Sequence, residues 1–340
     1  MASRWLQSHF RQVRQRGESG TPARYARRAL LRAAVFGPLD HELRAHRPGT
    51  ATSVATGVIS EVREDAIAVD NGRDTELFSV SPATVTWLGA QASLSTLRSG
   101  DPVIIRHRTP DAESAGRHAE RIWARVGRVT GTIVAACGGE FLVDPGHDDG
   151  SPQRVVIAPA SSRQIQVRFP RLAPGYLLDV IGTRRGDHLL AVVPATAQPP
   201  YRAGHSPRPP LVGGPLPVPI SGSAVWHEPG DEPPGLLGLG YPAIDPEAGS
   251  KPADDGTGCV RLPYLSLGSE VRIRNECANR TALLPVTSDG AMARQFCDRC
   301  VECGTSPKRR VADLTMAAFV ELGGNLEDGC FNATLTTTSG

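Results

Sequence analysis

The sequence predicts a mainly β protein built from several small units, and three observations predict it. Gly 36 and Pro 29 make up about a fifth of the 340 residues, which favours short strands and tight turns over long helices. Apolar and polar residues alternate with period two in Val58-Ile59-Ser60-Glu61-Val62 and Ala66-Ile67-Ala68-Val69-Asp70, and Asn71-Gly72 supplies a hairpin turn after them. A pattern also recurs: Thr56-Gly57 and Val69-Asp70-Asn71-Gly72 return 74 residues later as Thr130-Gly131 and Val143-Asp144-Pro145-Gly146. At about 150 residues per domain, a chain of this length holds more than one core.

Residues 1–49 form a basic arm, with ten arginines against Glu18, Asp40 and Glu42, although the whole chain carries a net charge of only +2. Arg24, Arg28 and Arg32 recur at helical spacing beside Leu30, Leu31, Ala34 and Val35, which predicts a short basic amphipathic helix ended by Gly37-Pro38. Such an arm docks on its own protein, on an anionic membrane surface or on nucleic acid. Its best apolar run, Ala29 to Phe36, is broken by Arg32 and does not read as a standard export signal. Elsewhere no stretch approaches the ~20 apolar residues of a membrane-spanning helix, so no transmembrane segment is expected.

The repeat defines two units, 50–125 and 126–196. Their later halves also agree with one residue inserted: Leu97-Arg98-Ser99-Gly100 before Val103-Ile104-Ile105 matches Leu172-Ala173-Pro174-Gly175 before Leu177-Leu178-Asp179-Val180. Four or five short strands per unit, with glycine at the tightest turn, suit a small five-stranded barrel similar to the OB fold. Such a barrel binds single-stranded nucleic acid through stacked aromatics in a basic groove, but Phe78, Trp87 and Trp123 read better as packing residues. Nucleic acid is therefore not the expected partner. Residues 194–219 hold nine prolines, so 197–219 reads as a stiff, partly polyproline linker between domains.

In 220–340, Ser223 to Trp226, Val271 to Ile273 and Leu283 to Thr287 read as strands. The run from Asp313 to Gly323 reads as a helix start with a glycine stop. Six of the seven cysteines, Cys259, Cys277, Cys297, Cys300, Cys303 and Cys330, lie here. An even cluster suggests a disulfide framework, while Cys297-x-x-Cys300-x-x-Cys303 has the spacing of a zinc knuckle that Cys259, Cys277 or Cys330 would complete. No cofactor is expected if the cysteines pair, and a structural zinc is the alternative.

Four motifs in order, Gly222-Ser223-Ala224-Val225-Trp226, Leu262-Pro263-Tyr264-Leu265-Ser266-Leu267-Gly268, Asp298-Arg299-Cys300-Val301-Glu302-Cys303 and Asp313-Leu314-Thr315-Met316-Ala317-Ala318-Phe319, resemble the six-stranded double-psi β-barrel of expansins, barwin-like proteins and the rare lipoprotein A family. The resemblance covers about a third of the chain. It implies a disulfide-bearing module, extracellular or associated with the cell wall, that binds or loosens peptidoglycan or cellulose, or cuts it as a glycosidase or lytic transglycosylase does. It places Asp313 on the family's key acid and Asp298 on an accompanying aspartate, with Asp289 competing for the second role. Glycoside cleavage needs a proton donor for the leaving oxygen and a second group on the opposite face. Trp226 and Tyr264 are candidates to line a sugar groove, and His227 is a further candidate for acid–base work. Asp313 also suits a helix N-cap. One departure stands out: Cys259 occupies the place where lipoprotein-type members carry a histidine.

Three functions of different class follow. The first is an expansin-like wall protein, with the β repeats as spacer or adaptor and other envelope proteins as partners of the repeats or the linker. The second is a non-catalytic assembly scaffold on the same architecture. The third is a cytoplasmic nucleic-acid protein with zinc in the cysteine cluster.

Overall fold

A computed structural model of the chain describes residues 52–108, 116–146, 151–197, 219–229, 235–244, 262–290 and 310–337. The expected helix over 24–36, nearly all of the Pro-rich linker, Asp298, Cys259, Cys297, Cys300 and Cys303 lie outside the described residues. The chain is mainly β, and its strands close into small barrels.

The first unit comprises β1 (Thr52–Val62), β2 (Ala66–Asp70), β3 (Thr75–Ser79), β4 (Val85–Trp87), β5 (Gln91–Ala92), β6 (Pro102–Arg108) and β7 (Arg117–Ala124). Antiparallel pairing joins β3-β2-β1-β6-β7, and a short parallel pairing of β3 with β7 closes the ring. The hairpin β4–β5 continues along the edge of β7, so this sheet has seven strands instead of the expected five.

The second unit comprises β8 (Val126–Cys137), β9 (Glu140–Asp144), β10 (Gln153–Ile157), the helix α1 (Ser162–Arg168), β11 (Leu177–Arg185) and β12 (His188–Pro194). It closes by the same scheme, with β10 parallel to β12.

The local causes of the repeat are visible in pairs. Gly57 and Gly131 sit where a Cβ would lie 2.3 Å from the Asp70 carbonyl oxygen and 2.1 Å from that of Asp144, so only glycine fits this approach. Two residues on, both strands carry a bulge, between Ile59 and Glu61 and between Ile133 and Ala135. Asp70 and Asp144 accept hydrogen bonds from the N–H groups of Gly72 and Gly146 at 2.8 and 2.9 Å, which fixes equivalent Asx turns.

The third unit is a closed six-stranded barrel, ordered β13 (Ile220–His227), β17 (Arg310–Thr315), β14 (Leu239–Gly240), β16 (Arg280–Ser288), β15 (Glu270–Asn275) and β18 (Cys330–Thr337). Two of its contacts, β13 with β17 and β14 with β16, are parallel, and the rest are antiparallel. The helix α2 (Met316–Glu321) follows β17 directly.

The expected separation of the domains by a spacer does not hold for the barrels. Each of the first two has its own apolar core, around Ile67 and Phe78 in one and around Ile133 and Phe169 in the other. The core of the third takes in residues of both repeats: Trp87, Ile104 and Trp123 from the first, Ile181 and Ala195 from the second. Ile104 is cross-strand from Trp123, and the backbone of Asp179 is bonded to that of Ala195, at equivalent places in the two repeats. The two copies therefore turn the same face toward the third barrel.

Polar contacts complete this junction. Arg121 and the Trp123 indole N–H both bond to Glu327, and Arg106 donates to the Gly324 carbonyl just beyond α2. In the second repeat Arg128 and Asp179 form a bidentate pair with side chains 1% and 0% exposed, and Arg310 of the third barrel reaches the same carboxylate at 2.7 Å.

Candidate functional site

β13 and β17 run parallel with Val225 beside Asp313 and His227 beside Thr315. Side chains two residues apart share one side of a strand, and this register brings His227 of one strand to Asp313 of the other. His227 Nδ1 lies 3.2 Å from Asp313 Oδ1, with side chains 26% and 15% exposed. Burial pushes the Asp313 pKa up, but His227, by charge and hydrogen bond, and then Arg310 and Arg128 outweigh it and hold the carboxyl below its ordinary value. Asp313 is thus a carboxylate at neutral pH. An ionised partner favours the tautomer with hydrogen on Nδ1, which leaves Nε2 as the ring nitrogen for proton exchange. Chemically, the arrangement is an imidazole oriented by a carboxylate at the end of β13.

The expected N-cap role of Asp313 is corrected, because Asp313 lies within β17 and Thr315 caps α2. The Thr315 hydroxyl accepts from the Ala318 N–H at 3.4 Å and donates to the Leu236 carbonyl at 2.6 Å. The extended backbone of Thr315, with φ −60° and ψ 151°, is where strand becomes helix.

Behind the pair lies the buried ionic cluster. Asp179 accepts from Arg128, Arg310, Thr130 and Thr196 at 2.7 to 2.9 Å. Burial opposes its charge, yet the arginines and Thr130 hold it well below the usual carboxylate range. Glu228, next to His227, accepts from Arg184 Nε at 3.0 Å and from the Arg128 backbone N–H. There burial wins over Arg184, and the carboxyl is pushed up from its ordinary value. Arg128, Asp179, Arg310 and Glu228 escaped the sequence reading. A signal did exist for Asp179: it is a lone acid inside the apolar strand Leu177-Leu178-Asp179-Val180-Ile181, and a charge so placed must find partners.

The other expected site residues meet different fates. Trp226 is 1% exposed, its indole N–H donates to the Leu326 carbonyl at 2.9 Å, and Arg128 covers its ring at 5.5 Å. It is therefore a core residue and not a sugar-stacking surface. Tyr264 is 53% exposed and remains available to a ligand. Asp289 is half-buried after the end of β16, one strand beyond β14, whose Gly240 is paired with Asp313 on its other side.

Of the cysteines, Cys277 is disulfide-bonded, so it offers no thiolate to a metal. Cys330 is buried against Val225, and no disulfide joins it to another described cysteine. No metal-ligating group of three or more side chains occurs among the described residues. Phe78, Trp87 and Trp123, at 0%, 6% and 0% exposure, are packing residues as expected and offer no stacking platform. No described helix is long and apolar enough to cross a membrane.

Comparison with known proteins adds little to this geometry. No family model and no curated protein matches the chain. Among solved structures, Ag(I)CusF is 18% identical over 22% of this chain and 96% of its own, with a TM-score of 0.17. A multidomain protein with nucleic acid binding domains from Streptococcus pneumoniae is 20% identical over 45% of this chain and 56% of its own, also with a TM-score of 0.17. Similarity at that level identifies neither a family nor a function.

Proposed function

We propose that the protein is a polysaccharide-directed wall protein, extracellular or wall-associated, in which His227 and Asp313 on a double-psi type barrel act together on peptidoglycan or cellulose. The observation that carries this reading is the contact of Asp313, the residue matched to the family's key acid, with an imidazole 86 positions away in sequence. The two parallel strand pairs in a closed six-stranded ring support the double-psi assignment. The shared strand order of the repeats, each with a parallel closing pair, supports an OB-like assignment for them.

The division of labour differs from a carboxylic acid donating the proton. A general acid works best with a pKa raised toward the working pH, and Asp313 is shifted the other way. We assign proton transfer to His227 Nε2 and orientation of the ring to Asp313. The histidine absent at Cys259 is in this reading supplied from β13. Tyr264 contributes an exposed ring to the substrate, and Asp298 and Asp289 remain candidate second groups.

The test uses the full chain with peptidoglycan and with cellulose, measuring co-sedimentation, release of soluble fragments and mechanical weakening. General acid–base groups typically contribute ~10²–10⁴-fold, so His227→Gln and Asp313→Asn should each lower fragment release by about 10²-fold or more, or abolish weakening, while binding persists. A scaffold that binds without acting is the second reading, favoured by the burial of Trp226 and by the core shared among the barrels. It is the outcome if both variants bind and behave like the wild type.

A further inference from the structure

We propose that Asp179, contributed by the second barrel, is a positioning residue for His227 and Asp313, because it occupies the two cations that would otherwise compete with His227 for Asp313. The inference rests on the reading that this pair moves protons, and it makes the second repeat part of the site instead of a spacer.

Arg310 and Asp313 are on the same strand, three residues apart, and Arg128 comes from β8. Both guanidinium groups bind Asp179: Arg128 Nε and Nη2 donate to it at 2.8 and 2.7 Å, while its Nη1 donates to the Gly329 carbonyl, and Arg310 Nη2 donates to Asp179 at 2.7 Å. The side chains of all three residues are at most 1% exposed, so water cannot take the place of a lost partner. Removing the carboxylate of a buried pair leaves an uncompensated cation, whose field acts on the charges around it. Both arginines already act on Asp313 through space, whereas the other nearby carboxylate, Glu228, is engaged with Arg184 and the Arg128 backbone.

Among the described residues, the charged groups linked to His227 and Asp313 are Arg310, Arg128, Asp179, Glu228 and Arg184. As arranged, Asp179 balances one of the two buried cations and lets Asp313 serve the imidazole. Without Asp179, both cations draw on Asp313, and the imidazolium loses the counter-charge that stabilises it.

The experiment is an NMR titration of the His227 ring in the full chain, with His227→Gln identifying its resonance. Asp179→Asn leaves two uncompensated cations, and the His227 pKa should fall by about one unit, the usual size of a shift from one nearby charge. Arg310→Gln should shift it upward, because Asp179 then retains only Arg128 as a cationic partner. Combining the two substitutions should return the titration toward the wild-type value, which a merely structural role for Asp179 would not produce.

Shifts of the same sign in both single variants, or none, would overturn the proposal. If Asp179→Asn does not fold, Arg310→Gln decides alone: a rise supports positioning, and an unchanged or lowered pKa refutes it. The titration needs no substrate, so an inert wild-type protein would remove the wall-acting reading without touching this result.

Discussion

Trp226 and Tyr264 are both candidates by sequence to line a sugar groove, but only Tyr264 is exposed. Replacing Trp226 by Ala should cost ~3–5 kcal/mol, as for a large buried aromatic. Tyr264→Ala should stay within about 0.5 kcal/mol while weakening polysaccharide binding. Chemical denaturation and co-sedimentation of both variants check this, and equal losses of stability would refute it. The acid side chains carry a second expectation. Asp179 and Asp313 are depressed from 3.8 in the folded chain, so the unfolded chain takes up their protons first. Their stabilisation is complete above the unfolded value and is lost as pH falls below it through the folded ones. Glu228, raised from 4.5, works in the opposite sense: its contribution is complete below that value and is lost as pH rises through its higher folded one. An acid titration of the unfolding midpoint should show a limb below about pH 4 that shrinks in Asp313→Asn. At this scale the motif singles out Asp313 as a candidate, whereas its contact with His227 depends on the pairing of strands 86 positions apart.

The strands and turns of the repeats were legible because their causes are local. Glycines at 57, 72, 131 and 146, with the aspartates before the turns, fix bulges and Asx turns within a few residues. The same reasoning missed the hairpin β4–β5, two short strands of three and two residues that exist because β7 offers an edge to pair with. It also misplaced the start of α2, since Asp and Thr are both good caps and strand pairing, invisible locally, holds Asp313 in β17. The glycine positions give a direct test. In Gly131→Ala the new Cβ would lie 2.1 Å from the Asp144 carbonyl oxygen, and separating β8 from β9 should cost ~1–3 kcal/mol, as overpacking does. Gly57→Ala should behave alike, with a Cβ at 2.3 Å from the Asp70 carbonyl. A neutral effect in denaturation at both sites would show that the bulges have room to adjust.

For the whole molecule, the decisive contacts are long-range: Arg106 with Gly324, Trp123 with Glu327 and Arg128 with Gly329 join residues about 200 positions apart. Nothing in local pattern announces them, which is why the barrels read as separate modules in the sequence. Their shared core predicts coupled unfolding. Trp123→Ala, a change in the first repeat, should lower amide protection in β13 and β17 of the third barrel, and tryptophan fluorescence and far-UV circular dichroism should report coincident transitions. Independent melting of the C-terminal barrel would contradict this. The common docking face has a consequence for the history of the repeats. Ile104 of one copy and Asp179 of the other hold equivalent positions in their repeats and both face the third barrel, one meeting apolar groups and the other Arg310. The duplicates have ceased to be interchangeable: a chimera carrying the second copy twice would bury an aspartate with no Arg310 opposite it, and one carrying the first copy twice would strand Arg310 against isoleucine.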